Sequence, residues 1–440
     1  MQLNPVLLEK LNAALQPEEP SRLTPRDTRL PAVPGKIHAV IGMRRAGKTS
    51  FLRQLLAENR AELPAERSFY LGLDDDRLSD VGIEQLSLLL EEYFRRYPEL
   101  RGREKVHIYL DEIQLVNDWE RFARRVLDTE QVELVVSGSS ARMLSREIHT
   151  SLRGRAMATL IRPFSFREML RHLGEEPVKA PSRWTRADRS AIEKRFREYL
   201  VSGGFPETPG LDAALRVELL QGYVDTVLFR DVVERYGISQ VASLRWLVRQ
   251  CLRNPAGSFS IHRLHLDLKS QGHGVSKDLV HDLLDHLLDA FLLTAVPLAT
   301  ESERRRNSNP RKLYPIDPGL IGAFDVSGRA NLGHALETLV CGELERRKAD
   351  LGYVKTEGGH EVDFLARYLA GGAELIQVCA DPSAPGTLER ELRALEEAGR
   401  EHPHADRLLL VLDHGQAAAI EAPGVKVEPV DAWLLAADRP

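Results

Sequence analysis

The sequence predicts an α/β protein that opens on a parallel sheet, continues through a helical region and closes on a second, smaller α/β unit. Three observations carry this prediction. Apolar strand runs alternate with helical runs over residues 1–174, the periodicity turns almost purely helical to about Leu252 after the polar, Pro-containing stretch GEEPVKAPSRWTR (174–186), and a second helix-and-strand alternation begins beyond residue 326. The 440 residues exceed what one core organises, since domains run to about 100–200 residues. A composition of 43% hydrophobic and 28% charged residues suits several packed cores and argues against disorder or coiled coil. The expected segments are therefore 1–174, 175–325 and 326–440.

The first segment has a helical lead-in and a Pro-rich connector, Pro20 to Pro34, before its first strand. Five strands are expected, at Ile37 to Ile41, Ser68 to Leu73, Val106 to Leu110, Val132 to Ser137 and Ala158 to Pro163, with helices between them such as Ile83 to Tyr97. The second segment reads as helical to about Leu252. From Ser260 to Ile316 it then runs helix, GHG turn, helix (Ser276 to Ala290), strand FLLTAVPL, charged turn and strand KLYPI, which is the order of a winged helix. The third is expected to hold a helix from Ala335 to Arg347, strands near Val362 to Ala366 and Glu374 to Val378, a helix from Leu388 to Ala398 and a strand from Arg407 to Leu412.

Residues 42–49 read GMRRAGKT, a full GxxxxGK[ST] pattern between the apolar strand IHAVI and the helix SFLRQLLAE. Such a loop turns successive backbone N–H groups onto phosphates at a helix N-terminus. Gly42, Met43, Arg44, Arg45, Ala46, Gly47, Lys48, Thr49 and Ser50 are the expected nucleotide-binding residues, with Lys48 on the β- and γ-phosphates and Thr49 on Mg²⁺. Mg²⁺ needs a further carboxylate and the attacking water needs a base. VHIYLDEIQ supplies both at one strand end, Asp111 for the Mg²⁺ shell and Glu112 for the water. ATP and Mg²⁺ are thus the expected cofactors.

The next strand ends in ELVVSGSS, where Ser139 is the chosen γ-phosphate sensor and Ser137 a close second; the rival reading is that these serines cap the following helix. Arg153 and Arg155, in SLRGRAMA, are placed to act as arginine fingers across a homo-oligomer boundary, or else form a solvated pair. The Asp74 to Asp76 run reads as a solvated loop.

The runs GMRRAGKTS, YLGLDDDRL, YLDEIQ, VVSGSS, SLRGR and RPFSFREML resemble the AAA-like ATPase module found in many uncharacterised bacterial and archaeal proteins. GGFPE (203–207), LFRDVVERY (228–236), KLYPIDPGL (312–320) and GHEVDFL (359–365) resemble the C-terminal region that accompanies it. The resemblance implies an AAA-type P-loop ATPase followed by a winged helix and a restriction-endonuclease-like domain. In that last domain a helix Glu, a strand Asp and an E-x-K group collect metal ions. Mapped here they read Glu337, Asp363 (after Glu361) and Gln377, Val378, Cys379. With no carboxylate at Gln377, no lysine at Cys379, and Glu374 on the opposite strand face, the expectation is a domain inactive as a nuclease and used for assembly or binding.

Charge supports that expectation. The net of −5 is unevenly spread: residues 326–440 hold 12 basic and 20 acidic side chains, while the first two segments are nearly balanced. The charge balance points DNA contact, if there is any, toward the first two segments, mainly through the wing arginines Arg304, Arg305 and Arg306, while the acidic residues Asp278, Asp282, Asp285 and Asp289 count against groove insertion by the recognition-helix candidate. Three scattered cysteines form no disulfide framework or zinc knuckle. No apolar run approaches a membrane span and the N-terminus lacks a signal-peptide pattern, so a cytoplasmic protein without membrane contact is expected. The leading functional expectation is an ATP-hydrolysing switch or remodeller acting on DNA or another partner. Its rivals are a nucleotide-loaded DNA-binding regulator with negligible turnover and an ATP-dependent nuclease.

Overall fold

The five residues of the first strand, β1 (Ile37–Ile41), are all buried, as a strand covered on both faces requires. In the computed structural model, which describes residues 2–16, 23–139, 152, 154–325 and 331–436, β1 is flanked by β4 (Val132–Gly138) and β5 (Ala156–Leu160). With β2 (Ser68–Gly72) and β3 (Val106–Asp111) these strands form a parallel sheet in the order β2-β3-β4-β1-β5. Strand order therefore reverses at β1, so the C-terminal ends of β1, β3 and β4 share one edge, where α/β sheets place ligands. The helix α1 (Pro5–Ala14) is capped by Asn4 and buries Leu7 and Leu11. In α2 (Lys48–Glu62), Phe51, Leu52 and Leu56 pack with Val40, Tyr109, Val135 and Ile161. Apolar residues at helical spacing also give α3 (Ile83–Arg96) and α4 (Trp119–Thr129) one buried face each.

Two compact units divide the chain, residues 1–162 and 163–440. A single core runs from Phe164 and Phe166 through Tyr199, Tyr314 and Leu336 to Phe364, Ile376 and Trp433, so the second and third segments bury their apolar faces on each other.

The second unit begins with α5 (Phe166–Leu173), closed by a capping box between Ser165 and Glu168, and α6 (Arg186–Ser202), closed by another between Thr185 and Asp188. There follow α7 (Ala213–Thr226), a π-helical stretch Val227–Val233, and α8 (Val241–Arg253). The next elements are β6 (Ser258–Phe259), α9 (Ile261–Ser270), α10 (Lys277–Asp289), β7 (Leu293–Val296), α11 (Glu303–Ser308) and β8 (Arg311–Pro315). Its three strands form an antiparallel sheet in the order β6-β8-β7. The charged turn expected between β7 and β8 is instead the short helix α11, because Ser302 accepts from the Arg305 N–H and caps it.

After α12 (Gly319–Phe324), α13 (Leu332–Arg346) leads into β9 (Asp350–Lys355), β10 (Glu361–Arg367) and β11 (Ala373–Cys379). A crossover through α14 (Thr387–Glu401) reaches β12 (Asp406–Val411), and β13 (Lys426–Pro429) closes the sheet in the order β13-β12-β11-β10-β9. The first three strands pair antiparallel and the last three parallel. Pairing with β9 shifts between Val362 and Leu365, so these two residues, three apart, both enter the core against α14, and Asp363 lies at the bulge.

Three of the runs that carry the family resemblance meet here. Gly204 of GGFPE donates its N–H to Asp317 of KLYPIDPGL at 2.7 Å, and Gly319 donates to the same carboxylate at 2.9 Å. The Gly204 carbonyl accepts from Phe164 of RPFSFREML at 2.7 Å, so close that a Cβ on Gly204 would lie 2.1 Å from the Phe164 oxygen. Asp317 is 2% exposed, and its removal orphans two buried N–H groups. Asp317→Ala is therefore expected to lower the melting midpoint of the second unit by about 5–10 °C, checked by calorimetry of the full chain.

Candidate functional site: a phosphate loop facing an acidic strand end

The loop between β1 and α2 owes its shape to three left-handed residues, Gly42 (φ 146°), Arg45 (φ 67°) and Gly47 (φ 99°). Glycine is required at position 42, because a Cβ there would lie 2.1 Å from the Ile161 carbonyl oxygen. Met43 and Ala46 are buried, while Thr49 and Ser50 begin the exposed N-terminal turn of α2. Lys48 is 5% exposed, and its Nζ donates to the Gly42 and Met43 carbonyls at 3.0 and 3.2 Å. Loop, lysine and helix N-terminus thus lie as phosphate binding requires.

Across the sheet edge, Asp111 ends β3 and is 4% exposed. It accepts from Thr49 Oγ1 at 2.6 Å and Tyr70 Oη at 2.7 Å on one oxygen, and from Ser137 Oγ on the other. Burial first, and the Asp111 charge second, hold the Tyr70 phenol well above its ordinary pKa, so it stays a donor. The two residues expected to ligate Mg²⁺ are therefore in direct contact although 62 positions apart. A hydroxyl and one carboxylate suit Mg²⁺, which keeps several waters and takes phosphate oxygens for its other positions.

Glu112 follows with φ 55° and ψ 42°, an uncommon conformation for a non-glycine residue. Its N–H donates to Ser137 Oγ at 3.0 Å, and its carboxylate accepts from Gln114 Nε2. Ser137 thereby links Asp111 to the backbone of Glu112. Ser139 is fully buried one residue beyond Gly138, the register partner of Ile41, which sets it beside the start of the loop. Arg155 stands at the opposite end of the sheet, where its carbonyl accepts from Ile37 N, and its guanidinium pairs with Asp128. Four strand residues, about 13 Å, separate it from the phosphate-loop edge, which removes it from its own subunit's site. Arg153 lies outside the described residues. In the Asp74 to Asp76 loop, Asp75 pairs with Lys10 and Arg77.

Arg26 is a site residue that sequence reasoning missed. Its guanidinium, in the Pro-rich connector and 3% exposed, donates to the Ala46 carbonyl at 3.3 Å and to the Arg162 carbonyl, bracing the loop from behind. No periodicity or motif marks it. Tyr70 was missed likewise, as one apolar-looking residue of a strand.

A second polar cluster lies in the other unit. Lys312 of β8, 3% exposed, sets its Nζ 2.8 Å from Glu361, 3.0 Å from Asp363 and 3.3 Å from Glu337. Tyr314 donates to Glu337 at 2.6 Å. Burial, reinforced by Asp363, pushes the Glu337 carboxyl up to about 8. Gln377 accepts from Asp363 N at 3.2 Å and donates to Glu391 at 2.6 Å, and the Asp363 carboxylate accepts from Val378 N at 3.0 Å. Cys379 is a buried thiol, pushed up to about 11 mainly by burial. The E-x-K position itself holds no lysine, as its sequence reads, but a lysine reaches the cluster from elsewhere. The ammonium arrives from β8, a different sheet, beyond the reach of a motif search along β11. A metal fits poorly among these carboxylates because their shared contact point is that ammonium.

The first unit is an AAA-type P-loop domain: residues 34–170 match the family model described as an AAA domain, and residues 193–330 match a domain of unknown function. An uncharacterised protein of Methanocaldococcus jannaschii is 32% identical over 398 residues, 89% of this chain and 84% of that one. The chain belongs to the family of that protein. An uncharacterised protein of Haemophilus influenzae is 27% identical over 335 residues, 75% of this chain and 79% of its own. Among solved structures, the Walker-type ATPase of Pyrococcus abyssi aligns with a TM-score of 0.43 at 14% identity, covering 66% of this chain and 90% of that one. The Aeropyrum pernix ORC1 protein in complex with DNA aligns at 0.28 and 17%, covering 72% and 90%. Among the described residues no helix is long and apolar enough to cross a membrane.

Because Arg26 holds the loop by its backbone, Arg26→Ala is expected to weaken nucleotide affinity roughly tenfold, about 1.4 kcal/mol, measured by calorimetric titration of an ATP analogue.

Proposed function

We propose that this chain binds ATP with Mg²⁺ and hydrolyses it, using the nucleotide cycle as a switch that remodels or repositions a bound partner. The observation that carries the reading is the 2.6 Å contact between Thr49 and Asp111, with Glu112 held beside it through Ser137. Lys48 would leave the Gly42 and Met43 carbonyls for the β- and γ-phosphate oxygens, which offer it a full negative charge. Thr49 and Asp111 would hold the Mg²⁺, whose charge offsets that of the phosphates when bound. The Glu112 carboxylate would orient and deprotonate the attacking water, and Ser137 or Ser139 would register the γ-phosphate. Arg155 would serve a neighbouring copy in a homo-oligomer, exchanging Asp128 for the transferred phosphoryl group.

Glu112→Gln is expected to cut turnover by at least about 100-fold while leaving ATP binding in place, and Lys48→Ala to lose binding itself. Steady-state phosphate release and equilibrium titration separate the two. Turnover that is negligible in the unsubstituted chain, with and without DNA, would instead favour the nucleotide-loaded regulator.

We read residues 241–315 as a winged helix, on their element order and antiparallel sheet, and the αβββαβ order of residues 332–411 as a restriction-endonuclease-like unit. Arg304 and Arg305 are exposed on α11, where a wing would meet the phosphate backbone, whereas α10 exposes Asp278 and Asp282. Replacing Arg304, Arg305 and Arg306 together with alanine is expected to reduce the salt slope of duplex DNA binding by about 2–3. An unchanged slope in fluorescence anisotropy would remove DNA as the partner of this wing.

A further inference from the structure

In the second unit, three carboxylates from two elements converge on one point: Glu337 on α13, with Glu361 and Asp363 on β10. A metal-dependent nuclease of this strand order would collect its divalent ions with such a set. Here the point is taken by Lys312 Nζ, within 3.3 Å of all three, on a side chain that is 3% exposed. The aliphatic stem enters from β8, and the ring of Tyr353 on β9 lies 5.9 Å from the ammonium. Every other strong donor in the cluster is committed: Gln377 spans Asp363 N and Glu391, Val378 N serves Asp363, and Tyr314 serves Glu337.

We infer that Lys312 is a built-in cation that replaces a divalent ion in this acidic cluster and clamps the β6-β8-β7 sheet to the five-stranded sheet. Two physical points support this. Carboxylates crowded this closely either take up a proton, toward which burial pushes Glu337, or need a cation, as the buried Asp363 and the more exposed Glu361 do. An ammonium supplied by the chain meets that need at any metal concentration. It also ties the strand that immediately follows the arginine-rich helix α11 to α13 and β10, so that the wing segment and the C-terminal sheet move together. The inference rests on the restriction-endonuclease-like reading only for what the lysine replaces. The clamp itself follows from the contacts.

The test uses the full chain without nucleotide, titrated with Mn²⁺ and melted with and without it. Four proteins are compared: the unsubstituted chain, Asp363→Asn, Lys312→Met, and the charge-compensated Lys312→Met/Glu337→Gln/Asp363→Asn. Any weak Mn²⁺ site at the phosphate loop is common to all four and cancels. We expect Asp363→Asn to leave Mn²⁺ binding of the unsubstituted chain unchanged. Lys312→Met should melt about 6 °C lower or more and recover at least half of the loss with Mn²⁺, while the compensated variant should recover without it. Mn²⁺ binding by the unsubstituted chain that Asp363→Asn abolishes would overturn the inference and restore a metal site. A compensated variant as unstable as Lys312→Met would overturn it too, since the lysine would then matter for packing and not for charge. If Lys312→Met does not fold, recovery in the compensated variant and the Asp363→Asn comparison decide the question. Loss of ATP hydrolysis or of the restriction-endonuclease-like assignment would leave these outcomes unaltered.

Discussion

A charge taken out of water has to find its partner inside, and this constraint organises both units. Asp111 accepts three hydroxyls, Asp317 accepts two backbone N–H groups, and Lys312 meets three carboxylates. In each case at least one partner comes from a part of the chain far away in sequence. Folding either unit brings them together, and a failure to do so would strand a buried ion. The same requirement therefore serves chemistry at Asp111, chain topology at Asp317 and the joining of two sheets at Lys312.

In the first unit the parallel sheet makes the site possible. Parallel strands point all their C-terminal ends to one edge, so a loop after β1, a carboxylate at the end of β3 and a serine at the end of β4 become neighbours without any long excursion of the chain. Arg155 precedes β5 and so falls at the other edge. That geometry keeps Arg155 away from the edge where the loop, Asp111 and Ser137 gather.

The second unit shows how motif and function part company. GGFPE, KLYPIDPGL and RPFSFREML carry the family resemblance, and they meet in a junction where glycines allow backbone to approach backbone and Asp317 collects the N–H groups. Lys312 opens the same KLYPIDPGL run but turns into the acidic cluster instead. Tyr314, two residues on, joins it at Glu337, since alternate residues of a strand share one face.

Local patterns determined a good deal of this protein. The apolar runs placed all five strands of the first sheet to within a few residues, and the helices Ile83–Arg96, Lys277–Asp289 and Thr387–Glu401 followed from spacing. The edge strand β6 escaped because it is only two residues long, β13 because none of its four residues is fully buried, and β9 because its pattern is mixed. The phosphate loop, Asp111 and Glu112 were legible since their residue types and flanking elements are contiguous in the chain. Arg26, Tyr70 and Lys312 were not. Each acts on groups tens to more than a hundred residues away, or from another sheet, and only the tertiary structure sets the distance between them. Sequence by itself determined the phosphate-loop and acidic-strand pattern of the first unit, and tertiary structure decided where the second unit's charges meet, because pairing across elements depends on packing that no local pattern encodes.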